Sequence, residues 1–217
     1  MLCEEDVETL DRAKTTRVYG KGDVIFHQGD ACTGMYCIES GTVAVRKTDD
    51  HGNAILLFLV HEGETLGTRA FFGGTEYAAS ADALIPTVAC HIPAEVVYDL
   101  LRQNASLDLQ FLRHISQVLA HAEEVIMANT SLPVRARLAQ LLVSLAERYG
   151  KDGDDGTTVM EIPMTRHDMA ELLATRPETV ARTITALERD GLVSFSGRRA
   201  VIPDLGTLID EVNDLMA

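Results

Sequence analysis

The stretch from Met164 to Val201 constrains this chain more than any other, because its signals fix two short helices, a tight turn and a hairpin in that order. Thr165 is placed to cap a helix, with Asp168 three residues on, a capping box with Asp in place of the usual Glu. Met169, Leu172 and Leu173 give that helix one apolar face, and Ala174-Thr175-Arg176 forms a short turn. Pro177 sits where a first helical residue has no use for its N–H, with Thr175 or Arg176 flanking the cap. The second helix runs from Glu178 to Asp190 with Val180, Ile184 and Leu187 facing inward, and Gly191 stops it. Leu192 to Phe195, Gly197 and Ala200 to Ile202 then read as a β hairpin. Two short helices across a tight turn match the helix-turn-helix, whose second helix presents its N-terminal half to the edges of DNA bases.

Glu178 and Arg182 are four residues apart and share one face of that second helix. An arginine takes guanine O6 and N7 together, and a glutamate accepts from cytosine N4. The competing reading is an ordinary surface ion pair, which the surrounding helix-turn-helix and hairpin disfavour. A net charge of −14 looks wrong for a DNA binder, so its distribution matters. Residues 1–132 hold 9 Lys/Arg against 19 Asp/Glu, residues 133–203 hold 10 against 10, and residues 204–217 hold none against 4. The acid lies outside the candidate DNA-binding segment, and attraction to phosphate depends on local Lys and Arg.

The 217 residues, 46% of them apolar, allow two small domains with a core each. Residues 15–95 read as β. Val24 to Phe26, Met35 to Ile38, Thr42 to Val45, Ile55 to Leu59 and Thr87 to Ile92 are short apolar or alternating runs separated by Gly-containing turns. That pattern suggests a closed sandwich or barrel. Over residues 94–129 the period changes, and Leu107, Phe111, Ile115, Val118, Ala122 and Val125 step by three and four along what reads as one long helix. Its seam suits either a dimer interface or packing on the β domain. Ser131-Leu132-Pro133 breaks the helix and marks a hinge, and a further helix runs from Val134 to Tyr149. No apolar run is long enough to span a membrane, and the acidic start lacks the basic residues of a signal peptide, so the expected location is the cytoplasm.

Three segments together resemble one family. Thr175-Arg176-Pro177-Glu178-Thr179-Val180-Ala181-Arg182 is similar to the recognition helix of the cyclic-AMP receptor protein and fumarate-nitrate regulator (CRP/FNR) family. Gly22 to Asp30 and Met35 to Gly41 resemble that family's β-roll. The resemblance implies an α+β chain with an N-terminal β-roll, cyclic-nucleotide-binding-like sensor domain over residues 1–105. A dimerisation helix and hinge would follow over residues 106–132, then a C-terminal winged helix-turn-helix over residues 133–217. It further implies a homodimeric transcription regulator that binds double-stranded DNA at a two-fold symmetric site, contacts RNA polymerase and answers to a small-molecule effector. Glu178, Ala181 and Arg182 are then the candidate base-reading residues, and Thr165, Arg176, Thr179, Arg198 and Arg199 the candidate phosphate contacts. Pro177 stands where the cyclic-AMP receptor has a further guanine-reading arginine, so the expected half-site is TTGA-like rather than TGTGA. A second function, the cyclic-nucleotide-binding-like regulatory module of an enzyme complex, leaves residues 164–201 unexplained. No catalytic constellation supports a third, an enzyme.

The sensor half departs from the family's best-known members. Relative to the cyclic-AMP site, Thr68 replaces the ribose-binding Glu and Ala78 the phosphate-binding Arg, so cyclic AMP is not the expected signal. Arg69 is the only Lys or Arg between Lys47 and Arg102. It either binds an anionic ligand or, as the slightly favoured reading, pairs with Glu64 or Glu76. Cys90-His91-Ile92-Pro93 resembles the internal cluster cysteine of the oxygen-sensing branch, and Cys3 could stand for one N-terminal ligand. With Cys32 and Cys37 the count reaches the four of an iron-sulfur cluster, although the rest of the N-terminal cysteine cluster is missing. The four are redox or cluster candidates, or else small buried hydrophobes, the favoured reading. Haem sensing also occurs in the family, but His27, His51, His61, His91, His114 and His121 have no diagnostic spacing. No cofactor is required by the sequence.

Overall fold

The structure is a computed structural model that describes residues 4–153 and 155–216, so Cys3 lies outside the described residues. The chain divides into two compact units with the boundary between Leu119 and Ala120.

The first unit opens with helix α1 (Glu4–Ala13) and strands β1 (Thr15–Tyr19), β2 (Val24–Phe26), β3 (Gly34–Ser40), β4 (Thr42–Thr48), β5 (Ala54–His61) and β6 (Thr65–Leu66). A short helix α2 (Thr68–Gly73), strands β7 (Ser80–Ala83) and β8 (Thr87–Pro93), and helix α3 (Ala94–Gln103) complete its order before helix α4 (Ala105–Ser131). The strands form two four-stranded antiparallel sheets, ordered β1-β8-β3-β6 and β2-β7-β4-β5. Alternation along β3 and β8 turns Ile38, Ala89 and their neighbours into a core with Phe26, Val43, Val45, Val60 and Tyr77. The rings of Phe26 and Tyr77 stack at 3.9 Å, and the Tyr77 hydroxyl donates to the Gly34 carbonyl at 3.0 Å. Every strand expected from residues 15–95 is present; β1, β6 and β7 are additional.

One helix was expected across residues 94–129, and the structure breaks it at Asn104. The Asn104 backbone leaves the helical region at φ −135° and ψ 86°. Its side-chain oxygen accepts from the Ser106 amide and hydroxyl, and its Nδ2 donates to Asp6 at 3.1 Å. An Asn side chain bonded to the following backbone offers the chain an alternative to the helical ladder. The expected seam is also redistributed. Leu107 is buried, and Phe111 packs on the first unit's own core, its ring 5.1 Å from that of Phe72.

The second unit contains helix α5 (Val134–Tyr149), strands β9 (Lys151–Asp152) and β10 (Thr158–Glu161), helices α6 (Arg166–Leu172) and α7 (Pro177–Arg189), strands β11 (Ser194–Ser196) and β12 (Arg199–Ile202), and helix α8 (Leu205–Met216). Its sheet runs β11-β12-β10-β9, all antiparallel. Leu138, Leu142, Met160, Met164, Met169, Val180, Leu187, Ile202 and Leu208 are fully buried and form its core. The break at Ser131-Leu132-Pro133 and the helix from Val134 to Tyr149 fall where the sequence puts them. Among the described residues no helix is long and apolar enough to cross a membrane.

Candidate nucleic-acid interface

Helix α6 starts from a complete capping box: the Asp168 amide donates to the Thr165 hydroxyl at 3.1 Å, and the Thr165 amide donates to Asp168 Oδ2 at 2.6 Å. The Thr165 hydroxyl proton also goes to Asp168 Oδ2, at 2.7 Å, so this candidate phosphate donor is engaged inside its own cap. At the other end of α6 the Ala174 amide bonds Glu171 O and the Thr175 amide bonds Ala170 O. That pair of bonds is a Schellman motif, with Ala174 left-handed at φ 46° where glycine is the usual occupant. The turn delivers the chain to Pro177, the first residue of α7, after an Arg176 cap that makes no side-chain bond.

Helix α7 places Glu178 in its first turn and Arg189 in its last, each complementing the helix dipole. Val180, Ile184 and Leu187 are buried beneath it. Glu178, Ala181, Arg182 and Thr185 are all exposed at spacings of three and four, which makes them one outward stripe. Arg182 reaches the Thr179 hydroxyl at 3.5 Å, and no ion pair joins it to Glu178 among the described residues. The surface-pair alternative is therefore not what the structure displays. Arg176 and Arg199 are exposed. Arg198 is half-buried and donates to the Pro163 carbonyl at 3.1 Å, which ties the β11–β12 hairpin to the segment before α6.

Two arginines escaped the sequence reading. The Arg166 guanidinium lies 4.0 Å from the centre of the Phe195 ring, in a small cavity of about 170 Å³ with Ile162, Met164, Met169 and Arg198 between α6 and the hairpin. Burial lowers its pKa, with Glu188 opposing. Glu188 in turn accepts from the Phe195 amide at 2.9 Å. Arg137 is buried, and its Nη1 donates to Asn129 Oδ1 and to the Leu173 carbonyl, while its Nε has no partner. Neither pairing is visible as a local pattern, since Arg166 and Phe195 are far apart in sequence and Leu173 is reached only through the fold.

In the sensor, the Thr68 hydroxyl lies 3.3 Å from that of Thr65, and Ala78 is half-buried and has no donor to offer a phosphate. Neither position carries a carboxylate or a guanidinium. Arg69 is exposed on α2, and among the described residues the favoured ion pair to Glu64 or Glu76 is not formed; Glu64 instead accepts from the His61 amide at 2.9 Å. Cys32 donates to the Gly34 carbonyl at 3.4 Å, and Cys37 and Cys90 face each other across β3 and β8. No group of three or more His, Cys, Asp or Glu among the described residues is placed to hold a metal ion, and Cys3 lies outside those residues. His91 is half-buried against Tyr36 with its Nε2 3.1 Å from the Thr33 hydroxyl, and burial lowers its pKa.

A β-roll followed by a winged helix-turn-helix with an outward stripe of Glu178, Ala181, Arg182 and Thr185 on its second helix defines a class of DNA-binding regulators. Comparison with known proteins agrees. Residues 16–104 match the cyclic nucleotide-binding domain model and residues 136–211 the Crp-like helix-turn-helix domain model. The transcriptional activator protein Anr of Pseudomonas aeruginosa is 28% identical over 204 residues, which cover 94% of this chain and 83% of that protein. The anaerobic regulatory protein of Pasteurella multocida is 26% identical over 210 residues, 96% of this chain and 76% of that protein. Among solved structures, FixK2 from Bradyrhizobium japonicum superposes with a TM-score of 0.80 at 22% identity, covering 91% of this chain and 96% of that one. A CRP/FNR-family regulator from Thermus thermophilus gives 0.75 at 26% identity, covering 93% and 100%. The chain belongs to the CRP/FNR family of DNA-binding transcription regulators.

Proposed function

We propose that the protein is a cytoplasmic homodimeric regulator, not an enzyme, that reads a TTGA-like inverted repeat and contacts RNA polymerase under a signal other than cyclic AMP. The observation that carries the reading is the exposed stripe of Glu178, Ala181 and Arg182, with the two charged side chains unpaired with each other on the N-terminal half of α7. Arg182 takes the guanine of the half-site, Glu178 the cytosine opposite, and the Ala181 methyl a thymine methyl. Pro177 supplies no donor for a further guanine. Arg176, Thr179 and Arg199 hold phosphates, with Arg166 beside the hairpin as an addition to that set. Arg198 and Thr165 serve as well through the packing they already maintain. The sensor's signal is of redox, haem or gas, or small-anion type.

Selection from a random duplex pool tests the assignment. The wild type is expected to enrich TTGA half-sites about one helical turn apart. Arg182→Ala is expected to lose about 1–3 kcal/mol and to relax choice at the guanine. Arg199→Ala is expected to weaken all sequences alike and to flatten the dependence on salt. Enrichment of TGTGA, or unchanged base preference in Arg182→Ala, would refute the reading residues named here.

A further inference from the structure

We propose that Cys37 and Cys90 form a reversible intrachain disulfide driven by hydrogen peroxide. The two are direct partners in the register between β3 and β8, with Tyr36 opposite His91 on one side and Ile38 opposite Ala89 on the other. Directly opposed residues of an antiparallel pair have Cα atoms roughly 4.5–5.5 Å apart and side chains on the same face. Disulfides need Cα separations of roughly 4.4–6.8 Å, and either kind of opposed pair lies within that range. Both thiols are free, and each shifts the other's titration. Cys32, by contrast, is engaged with the Gly34 carbonyl.

Burial selects the oxidant. Cys90 is only 4% exposed and Cys37 is half-buried, so a bulky disulfide has no approach, whereas peroxide is little larger than water. The thiolate of one cysteine attacks the O–O bond; an S–O bond forms, and the departing hydroxide takes up a proton as water. The second sulfur then attacks the sulfenic acid, the S–S bond forms, the S–O bond breaks, and the second water leaves with the remaining thiol proton. Two thiols are oxidised and one peroxide is reduced to two waters. Burial pushes the Cys37 thiol up to about 12 and raises Cys90 as well, so little thiolate is present near neutrality. The pair is consequently slow, and its oxidation is expected to accelerate about tenfold per pH unit through the mildly alkaline range, unlike a low-pKa sensor thiol. The link would clamp β8 to β3, and β8 runs through Pro93 directly into α3.

The test uses the full chain, incubated with millimolar hydrogen peroxide at neutral and mildly alkaline pH, blocked with an alkylating agent and mapped by mass spectrometry without reduction. The expected product is a Cys37–Cys90 linked peptide that dithiothreitol reverses. It should persist in Cys32→Ser and vanish in Cys37→Ser and in Cys90→Ser. The proposal is overturned if the wild-type thiols stay unlinked after prolonged alkaline exposure, or if the bond formed joins Cys32, Cys3 or a second chain. Because the wild-type map decides the matter, misfolding of a variant does not rescue the idea. The outcome is also independent of DNA recognition, which the duplex selection reads separately.

Discussion

Ala174 holds a conformation that its side chain disfavours. It is the one non-glycine residue at positive φ among the described residues, and it does for α6 what Gly191 does for α7. Both sit at the same place in a Schellman motif: Gly191 bonds Glu188 O and Leu192 bonds Leu187 O, matching the bonds that Ala174 and Thr175 make to α6. A Cβ at Gly191 would meet nothing within 4 Å, and Ala174 is exposed, so backbone conformation alone separates the two positions. Relief of left-handed strain outweighs the extra freedom glycine brings to the unfolded chain. Ala174→Gly is therefore expected to stabilise the second unit by about 0.5–1 kcal/mol, and Gly191→Ala to cost roughly 1 kcal/mol. Thermal melts of the two variants should move in opposite directions; equal or same-signed shifts would place the strain elsewhere. The turn itself was legible, because Thr165, Asp168 and Pro177 bracket it. The φ of Ala174 was not, because alanine carries no mark of the left-handed state. The same holds at the site: Glu178 and Arg182 show in the spacing, whereas Arg166 and Arg137 acquire meaning only from partners distant in sequence.

At the scale of elements, Arg137 joins three helices of the second unit. Its Nη1 holds Asn129 at the end of α4 and the Leu173 carbonyl at the end of α6, from a position in the first turn of α5. The Leu173 carbonyl is one that α6 cannot satisfy internally, so this bond completes the helix end just before the recognition turn. Burial with no carboxylate beside it lowers the pKa of the guanidinium. Conserving charge is then the wrong kind of conservatism. A lysine keeps the desolvated charge but replaces the planar group whose Nη1 directs its two N–H bonds at the two acceptors with a compact ammonium on a differently placed stem. A methionine removes the charge and leaves only neutral acceptors unpaired. Arg137→Lys is expected to cost about 2–3 kcal/mol and Arg137→Met about 1 kcal/mol in urea unfolding. A lysine variant as stable as wild type would show that the planar guanidinium is dispensable. Elements differ in how plainly the chain announces them. Helix α7 has a proline start, a glycine stop and three inward residues. Strand β10 has four residues and no alternation, and owes its existence to pairing with β12. Strand β1 is exposed at four of its five positions, so no apolar pattern marks it. In α8 the apolar spacing is present, since Leu208 and Val212 are both buried, but four acidic residues in a short terminal segment mask it.

At the scale of the whole molecule, α4 has an apolar face that its own chain leaves wet. Leu112, Ile115, Leu119, Ala122 and Ile126 step by three, four, three and four, the heptad period of two helices that pack together. Leu112, Leu119 and Ile126 are about 60% exposed, and Leu109, Val118 and Met127 flank them, also exposed. Scattered apolar side chains on a surface need no explanation, but a continuous stripe on a 27-residue helix does. Only part of the seam read from the sequence is open in the structure. Leu107 is buried and Phe111 packs on the first unit's core, so only Ile115, Val118 and Ala122 of the expected set are exposed. A one-dimensional period cannot say which of two adjacent stripes a neighbouring domain will claim. A second copy of this helix, related by a two-fold axis, is the occupant that the heptad spacing fits. Burying each large apolar side chain on the stripe contributes roughly 1.5–3 kcal/mol. Leu119→Glu would set two like charges against each other near the axis of such a pair and desolvate both. It is expected to weaken dimerisation by roughly a hundredfold or more, equivalent to about 3 kcal/mol. Sedimentation equilibrium should show a wild-type dimer at micromolar concentration and a largely monomeric variant. DNA affinity for a complete inverted repeat should fall with it, while the affinity for an isolated half-site stays the same. Leu119→Met, which keeps the apolar volume, should remain dimeric. A monomeric wild type, or a dimeric glutamate variant, would rule out this stripe as the interface.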